Sequence, residues 1–286
     1  MAFHLIEKYI DEIYWNFKIG RSVKKLSVFS LRNDLKKHIK SPVFFLSTGR
    51  CGTQWFSNLL STKENVVLHS PVPSFASQNR TVYKTLINEN ATENEINLIK
   101  EIYLTGREQH LRYSSKSAKK MIETNNYITF FAPVLATIFP DAKFVHLYRH
   151  PGEFVRSGIR RNYYTKNNPD DIKRIVPQNN EDWPDYSQIK KIAWLWQETN
   201  TFIEKFKMKN ECYSFNFNGL DTDNVMQLVN YLQIDIEISR VKKQLNKKLN
   251  VQKTGSFENY TNWDDNQKNE LKETCGELAK TYGYTL

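Results

Sequence analysis

Cysteine is scarce in this chain. There are three, Cys51, Cys212 and Cys275, set far apart. An odd, dispersed set builds no disulfide framework, and no Cys or His grouping has zinc-ligand spacing. A reducing, cytoplasmic setting is the expectation, with no metal in the site. Long apolar runs are missing too; none approaches the roughly 18 residues of a membrane span. Residues 1–34 carry no cleavable-signal pattern, because Glu7, Lys8, Asp11 and Glu12 interrupt their apolar stretches. Leu5, Ile6, Tyr9, Ile10, Ile13 and Phe17 fall at helical spacing there. They predict a helix packed on the body of the protein, a partner-binding or membrane-surface helix being the other reading. Zinc fingers, RNP motifs, Arg-rich tracts and internal repeats are absent, so no nucleic-acid partner is expected.

What is present suits a folded α/β protein. Apolar residues make up 40% of the 286, including 17 Phe, 15 Tyr and 6 Trp. That supplies a sizeable core, and no linker is long enough to split the chain. One domain is expected over residues 1–286, with variable segments at 74–120 and 163–187. The net charge of +10 attracts anionic ligands without selecting among them.

Val43-Phe44-Phe45-Leu46 reads as a buried parallel strand, followed by a glycine-containing turn and a helix over 52–60. Residues 66–68, 144–148 and 212–217 read as further strands. Helices are predicted over 93–103, 127–138, from Pro151 to about Tyr163, and over 188–207, 222–232 and 236–249, with a last one ending near Tyr282. Pro133 inside 127–138 predicts a kink or a late start. Alternating strands and helices give a parallel sheet flanked by helices, of P-loop nucleotide-binding type with helical insertions.

Two segments carry chemistry. Ser47-Thr48-Gly49-Arg50-Cys51-Gly52-Thr53-Gln54-Trp55 joins a strand to a helix, which places backbone N–H groups and the positive helix end around an anion. The spacing is not that of an ATP or GTP loop: the lysine and the adjoining hydroxyl that would hold magnesium are missing, which disfavours a kinase. The second segment has Arg149 at the end of an apolar strand and Ser157 eight residues later in a helix opened by Pro151. Ligands of open α/β sheets bind at that edge, and arginine suits phosphate through paired hydrogen bonds.

Together these segments resemble the two motifs by which sulfotransferases bind 3′-phosphoadenosine 5′-phosphosulfate (PAPS). Arg50-Cys51-Gly52-Thr53-Gln54-Trp55 resembles the loop that holds the 5′-phosphosulfate, and Arg149 with Ser157 the pair that holds the 3′-phosphate. Residues 139–145 before Arg149 also look like the family, and Lys253-Thr254-Gly255 resembles its basic loop over the cofactor. The likeness is strongest over 42–60 and 121–162. It implies in-line transfer of a sulfuryl group from PAPS to an acceptor hydroxyl or amine, without a metal. The acceptor, whether carbohydrate, lipid, or small alcohol or amine, and the oligomeric state stay open. The resemblance makes Glu123 the first candidate for the general base, by its register before Phe139-Pro140, and His69 the second. A charge at a helix start is the other reading of Glu123. Arg50 would stabilise the leaving group. Trp55 would stack on adenine or belong to the core; Trp194 and Trp196 read as core, and Cys51 as a small loop residue. His146 should lie within a strand, away from the ligand edge. The alternatives are a P-loop nucleotide or small-molecule kinase and a non-catalytic basic polyanion binder.

Overall fold

The computed structural model describes residues 39–88, 90–165, 168–247 and 256–286. Five strands form one parallel sheet: β1 (Val43–Leu46), β2 (Asn65–Leu68), β3 (Lys120–Glu123), β4 (Lys143–Tyr148) and β5 (Cys212–Asn216), in the order β2-β3-β1-β4-β5. The order follows from the pairing. β1 lies beside β3 through Val43↔Ile122 and beside β4 through Phe44↔Phe144. The chain leaves β1 for the far edge, returns to fill the gap with β3, then crosses to the other side with β4. The connections therefore diverge at the C-terminal end of β1, where a crevice opens in sheets of this kind.

Side chains alternate across the sheet with period two. Phe44 and Leu46 enter one core with Tyr103, Phe131, Phe139, Phe144 and Trp196. Val43 and Phe45 enter the other with Phe56, Ile122, Val145, Leu147 and Phe215. Because both faces are covered, β1 reads as one unbroken apolar run.

The helices are α1 (Thr53–Leu60), α2 (Ala76–Leu86), α3 (Glu93–Ser117), α4 (Ala132–Ile138), α5 (Pro151–Ile159), α6 (Gln188–Lys207), α7 (Thr222–Tyr231), α8 (Ile238–Leu245) and α9 (Asp265–Thr281). The polar stretch 74–120 is thus mostly helical. A capping box between Thr92 and Glu95 starts α3, which runs 25 residues and well past the predicted end. Pro133 marks a late start: residues Asn126–Phe131 form a 3-10 turn, and α4 begins at Ala132 with the proline in its first turn. The largest departure is β3. It was not predicted as a strand, yet it lies between β1 and β2, so Glu123 ends a strand and starts no helix.

The helix predicted near residues 5–17 and the loop at Lys253, Thr254 and Gly255 lie outside the described residues. Among those described, no helix is long and apolar enough to cross a membrane.

Candidate active site

The turn after β1 is fixed from both sides. Ser47 N–H donates to Thr129 Oγ1 at 3.0 Å, and that hydroxyl donates back to Ser47 O at 2.9 Å. Gly49 N–H donates to Ser47 Oγ at 3.1 Å. Gly49, Arg50 and Gly52 all take positive φ, at 75°, 58° and 91°. For Arg50 this left-handed backbone costs roughly 1–2 kcal/mol, a strain that tends to collect at functional sites. Gly52 is the N-cap of α1, and no side chain caps that helix. Thr53 and Gln54 open its first turn, with Thr53 only 7% exposed. The helix end is therefore open to an external acceptor, such as an anion.

Gly52 is required for a second reason. A Cβ there would come within 2.0 Å of the Phe217 ring. Gly52→Ala is expected to lower stability through two additive causes: the left-handed backbone, about 1–2 kcal/mol, and crowding, about 1–3 kcal/mol. Thermal melts of the single variant and of Gly52→Ala with Phe217→Ala separate them, because the second change relieves only the crowding. An unchanged melting temperature in the single variant would refute this account.

The two motifs meet at Ser157. Arg50 Nε donates to Ser157 Oγ at 3.4 Å, and Arg161 donates to the same oxygen at 2.8 Å. Arg149 donates to the carbonyl of Arg50 at 3.3 Å and pairs with Glu153 at 2.5 Å. Trp196, fully buried, holds the end of β4 by donating its indole N–H to Arg149 O at 2.9 Å. Arg50 and Arg161 thus share one serine, while Arg149 binds the Arg50 carbonyl and carries the Glu153 carboxylate. Burial first, and then the charge of Arg50, brings the Arg161 pKa down to about 10. An anion placed among these groups relieves that repulsion. Arg161 was not anticipated; its only sequence signal is its place one helical turn after Ser157.

Other predicted residues are placed as follows. Cys51 is fully buried, donates to Gly49 O at 3.1 Å, and has its thiol pushed up to about 11 by burial. It stays protonated at neutral pH and serves as a small loop residue. Trp55 is 4% exposed, stacks edge-on against Phe56 and donates to Gln244 O at 3.2 Å. It belongs to the core, packed against α8. Trp194 is partly buried against Trp183. His146 lies within β4 and is fully buried, with Nε2 2.9 Å from Asn200 Oδ1. Its Nδ1 is 3.5 Å from Glu204, an ion-pair distance too long for a good hydrogen bond.

The two base candidates differ in environment. Glu123 is fully buried and its carboxylate is enclosed. It accepts from Arg107 Nε at 3.0 and 3.1 Å, from a second Arg107 nitrogen at 2.6 Å, from Tyr103 at 3.1 Å and from Asn125 at 3.4 Å. His69 follows β2 and is partly exposed, with Nδ1 3.1 Å from Thr124 Oγ1. Burial foremost, and also the charge of Arg50, lowers its pKa below 6.5. The imidazole is therefore neutral at pH 7, with Nε2 as its second nitrogen.

A small cavity adjoins the turn. Its volume is about 50 Å³, and Ser47, Thr48, Asn126 and Tyr127 form one side of it. Asn126 also packs over Gly49, 3.1 Å from where a Cβ would stand.

Residues 42–194, more than half of the 286, match the model of a sulfotransferase family. The chain belongs to that family. No curated protein matches it. Solved structures share the fold of this sulfotransferase at low identity. A sulfotransferase of Mycobacterium tuberculosis H37Rv is 14% identical, covering 89% of this chain and 81% of its own, with a TM-score of 0.50. A sulfotransferase domain from the curacin biosynthetic pathway is 14% identical, covering 87% and 99%, at 0.50. A sulfotransferase of Mycobacterium avium is 12% identical, covering 94% and 83%, at 0.50. At such identities the likeness concerns the fold alone.

Proposed function

We propose that the chain, acting as one sulfotransferase domain, moves a sulfuryl group from PAPS to an acceptor hydroxyl or amine. The observation that carries this reading is the convergence of Arg50 and Arg161 on Ser157, with Arg149 bound to the Arg50 carbonyl, beside a helix end that no side chain caps. A nucleotide with phosphates at both 3′ and 5′ positions fits those positive charges. Arg149, Ser157 and Arg161 would hold the 3′-phosphate, and Arg50 with the N–H groups of α1 the 5′ end. The bound donor supplies the sulfuryl group on a bisphosphate leaving group.

The protein's own task is positioning and charge stabilisation, as in phosphoryl transfer. Arg50 faces the place where negative charge develops on the leaving oxygen, and a donor of this kind contributes about 3–4 kcal/mol. The acceptor must lose a proton. We assign that step to His69 and not to Glu123, because His69 is neutral and accessible, whereas every oxygen of Glu123 is engaged. With Nδ1 held by Thr124, Nε2 of His69 receives the proton.

The test is calorimetry with adenosine 3′,5′-bisphosphate set beside ATP–Mg. Tight binding of the first and weak binding of the second is expected, and the reverse order would favour a kinase. For the base, His69→Ala should lower kcat by about 10²–10⁴-fold with bisphosphate affinity unchanged. The sign of the pH dependence follows from the lowered pKa. Activity should be level at pH 7 and fall only as pH drops below 6.5, where the imidazole becomes protonated. That acid limb should vanish in the alanine variant. An unchanged kcat, or a limb that persists, would move the role elsewhere.

A further inference from the structure

Asn218 lies outside both motifs, in the turn that follows β5. Asn216 caps that turn by accepting the Asn218 N–H at 2.9 Å. Asn218 is exposed, yet both ends of its amide point to the start of α5. Its Oδ1 accepts the His150 N–H at 2.8 Å, and its Nδ2 donates to Glu153 Oε2 at 3.2 Å. The partners leave no choice of orientation: an N–H faces the oxygen and a carboxylate faces the nitrogen. Tyr284, beyond α9, supports the turn from behind. Its hydroxyl donates to Asn216 Oδ1 at 2.6 Å and lies 3.2 Å from Asn218 Oδ1. Its ring meets His150 edge-on, with 5.0 Å between centroids.

Glu153 Oε2 is also the oxygen that holds Arg149. Nε and one terminal nitrogen of Arg149 both lie 2.5 Å from it. The other terminal nitrogen donates to Arg50 O at 3.3 Å. Each terminal nitrogen keeps one further N–H, and arginine binds a phosphate through such paired groups. A Glu153 carboxylate released from Asn218 would be free to swing toward that pair and compete with an incoming phosphate for it.

We propose that Asn218 is a positioning residue of the donor site, an assignment that rests on the PAPS reading above. By holding Glu153 on the Nε edge of Arg149, it keeps the far end of the guanidinium open for the 3′-phosphate. It thereby sets the preference for a bisphosphate over a monophosphate. Asn218 acts through Glu153 and Arg149.

Calorimetry on the full chain compares adenosine 3′,5′-bisphosphate with adenosine 5′-monophosphate, which lacks the 3′-phosphate. The ratio of the two affinities is the readout, because a general loss of order would weaken both alike. Asn218→Ala should weaken the bisphosphate about tenfold and leave the monophosphate within about twofold. Asn218→Asp keeps the acceptor for His150 but sets a carboxylate against Glu153, and should lower the ratio at least as far. Adding Glu153→Gln to it restores the bond with donor and acceptor exchanged. The gain in bisphosphate affinity from Glu153→Gln should therefore be larger in the Asn218→Asp background than in the wild type. An unchanged ratio in either Asn218 variant overturns the proposal. So does equal weakening of both nucleotides, or an equal gain from Glu153→Gln in the two backgrounds. A wild-type chain that does not prefer the bisphosphate overturns the donor reading itself, and that result appears before any variant is made.

Discussion

Arg149→Ala is expected to weaken binding of adenosine 3′,5′-bisphosphate by about 30- to 700-fold, with the fold intact. An arginine makes charge-assisted hydrogen bonds to a phosphate. Removing one such partner costs about 2–4 kcal/mol, and each 1.4 kcal/mol is tenfold in affinity. Local chemistry argues for the upper part of the range. Arg149 pairs with Glu153, and both side chains are partly exposed, at 30% and 39%. In the alanine variant the Glu153 carboxylate loses its cation, keeps only the Asn218 amide at 3.2 Å, and repels the incoming phosphate. Glu153→Gln should accordingly act in the opposite direction and tighten binding. Arg149→Lys should retain part of the affinity, since it keeps the charge but loses the planar fork. Isothermal titration at two salt concentrations reads all three, and the dependence on salt should be shallowest in Arg149→Ala. Normal affinity in Arg149→Ala would remove the second motif from the site. The fold should tolerate the change, because Trp196 binds the carbonyl of Arg149 and not its side chain.

The parts that were legible in the sequence are those in which the chemistry is local. β1 is covered on both faces and forms an uninterrupted apolar run, and β4 departs from one only at Lys143 and His146. The two segments proposed to hold the donor each fit within ten residues, so together they could be matched with the motifs of sulfotransferases. β3 was not legible. Of its four residues, Lys120 and Glu123 are charged, and only Met121 and Ile122 signal a strand. Their charges are explained by distant partners: Lys120 donates to Leu232 O at 2.8 Å, and Glu123 pairs with Arg107. The length of α3 was hidden for the same reason. Arg107 and Arg112 interrupt its apolar face, yet both are buried and each is paired with a carboxylate, Glu123 and Glu108. Thr129, which locks Ser47, and Phe217, which covers Gly52, lie 82 and 165 residues from their partners; no local pattern marks such contacts. The same separation explains Glu123 itself. Its register before Phe139-Pro140 made it a candidate base, and it stands at the C-terminal end of β3, but register says nothing about which way a carboxylate turns or what encloses it.

Glu123→Gln tests that enclosure and is the second large effect. The carboxylate and the Arg107 guanidinium are both fully buried, and Arg107 also donates to Pro73 O at 2.5 Å and lies 4.0 Å over the Phe75 ring. Neutralising one partner leaves a buried guanidinium uncompensated, which costs about 3–5 kcal/mol. For a chain of this size that corresponds to a fall in melting temperature of about 5–8 °C. Turnover per folded molecule should fall less than tenfold. Some loss is expected because Glu123 adjoins Thr124, whose hydroxyl orients His69. A general base replaced by its amide behaves in the opposite way, losing about 10²–10⁴ in kcat at little change in stability. The two measurements therefore separate an anchor from a base in one variant. The pair Glu123→Leu with Arg107→Met supplies the control: removing both charges together should recover much of the lost stability, since a buried pair exchanged for apolar groups of similar size is often neutral. If Glu123→Gln melts like the wild type and is nearly inactive, the proton goes to Glu123. If it melts early and remains active, the pair ties α3 to the end of β3, and the ligand edge that Thr124 and His69 share depends on that tie.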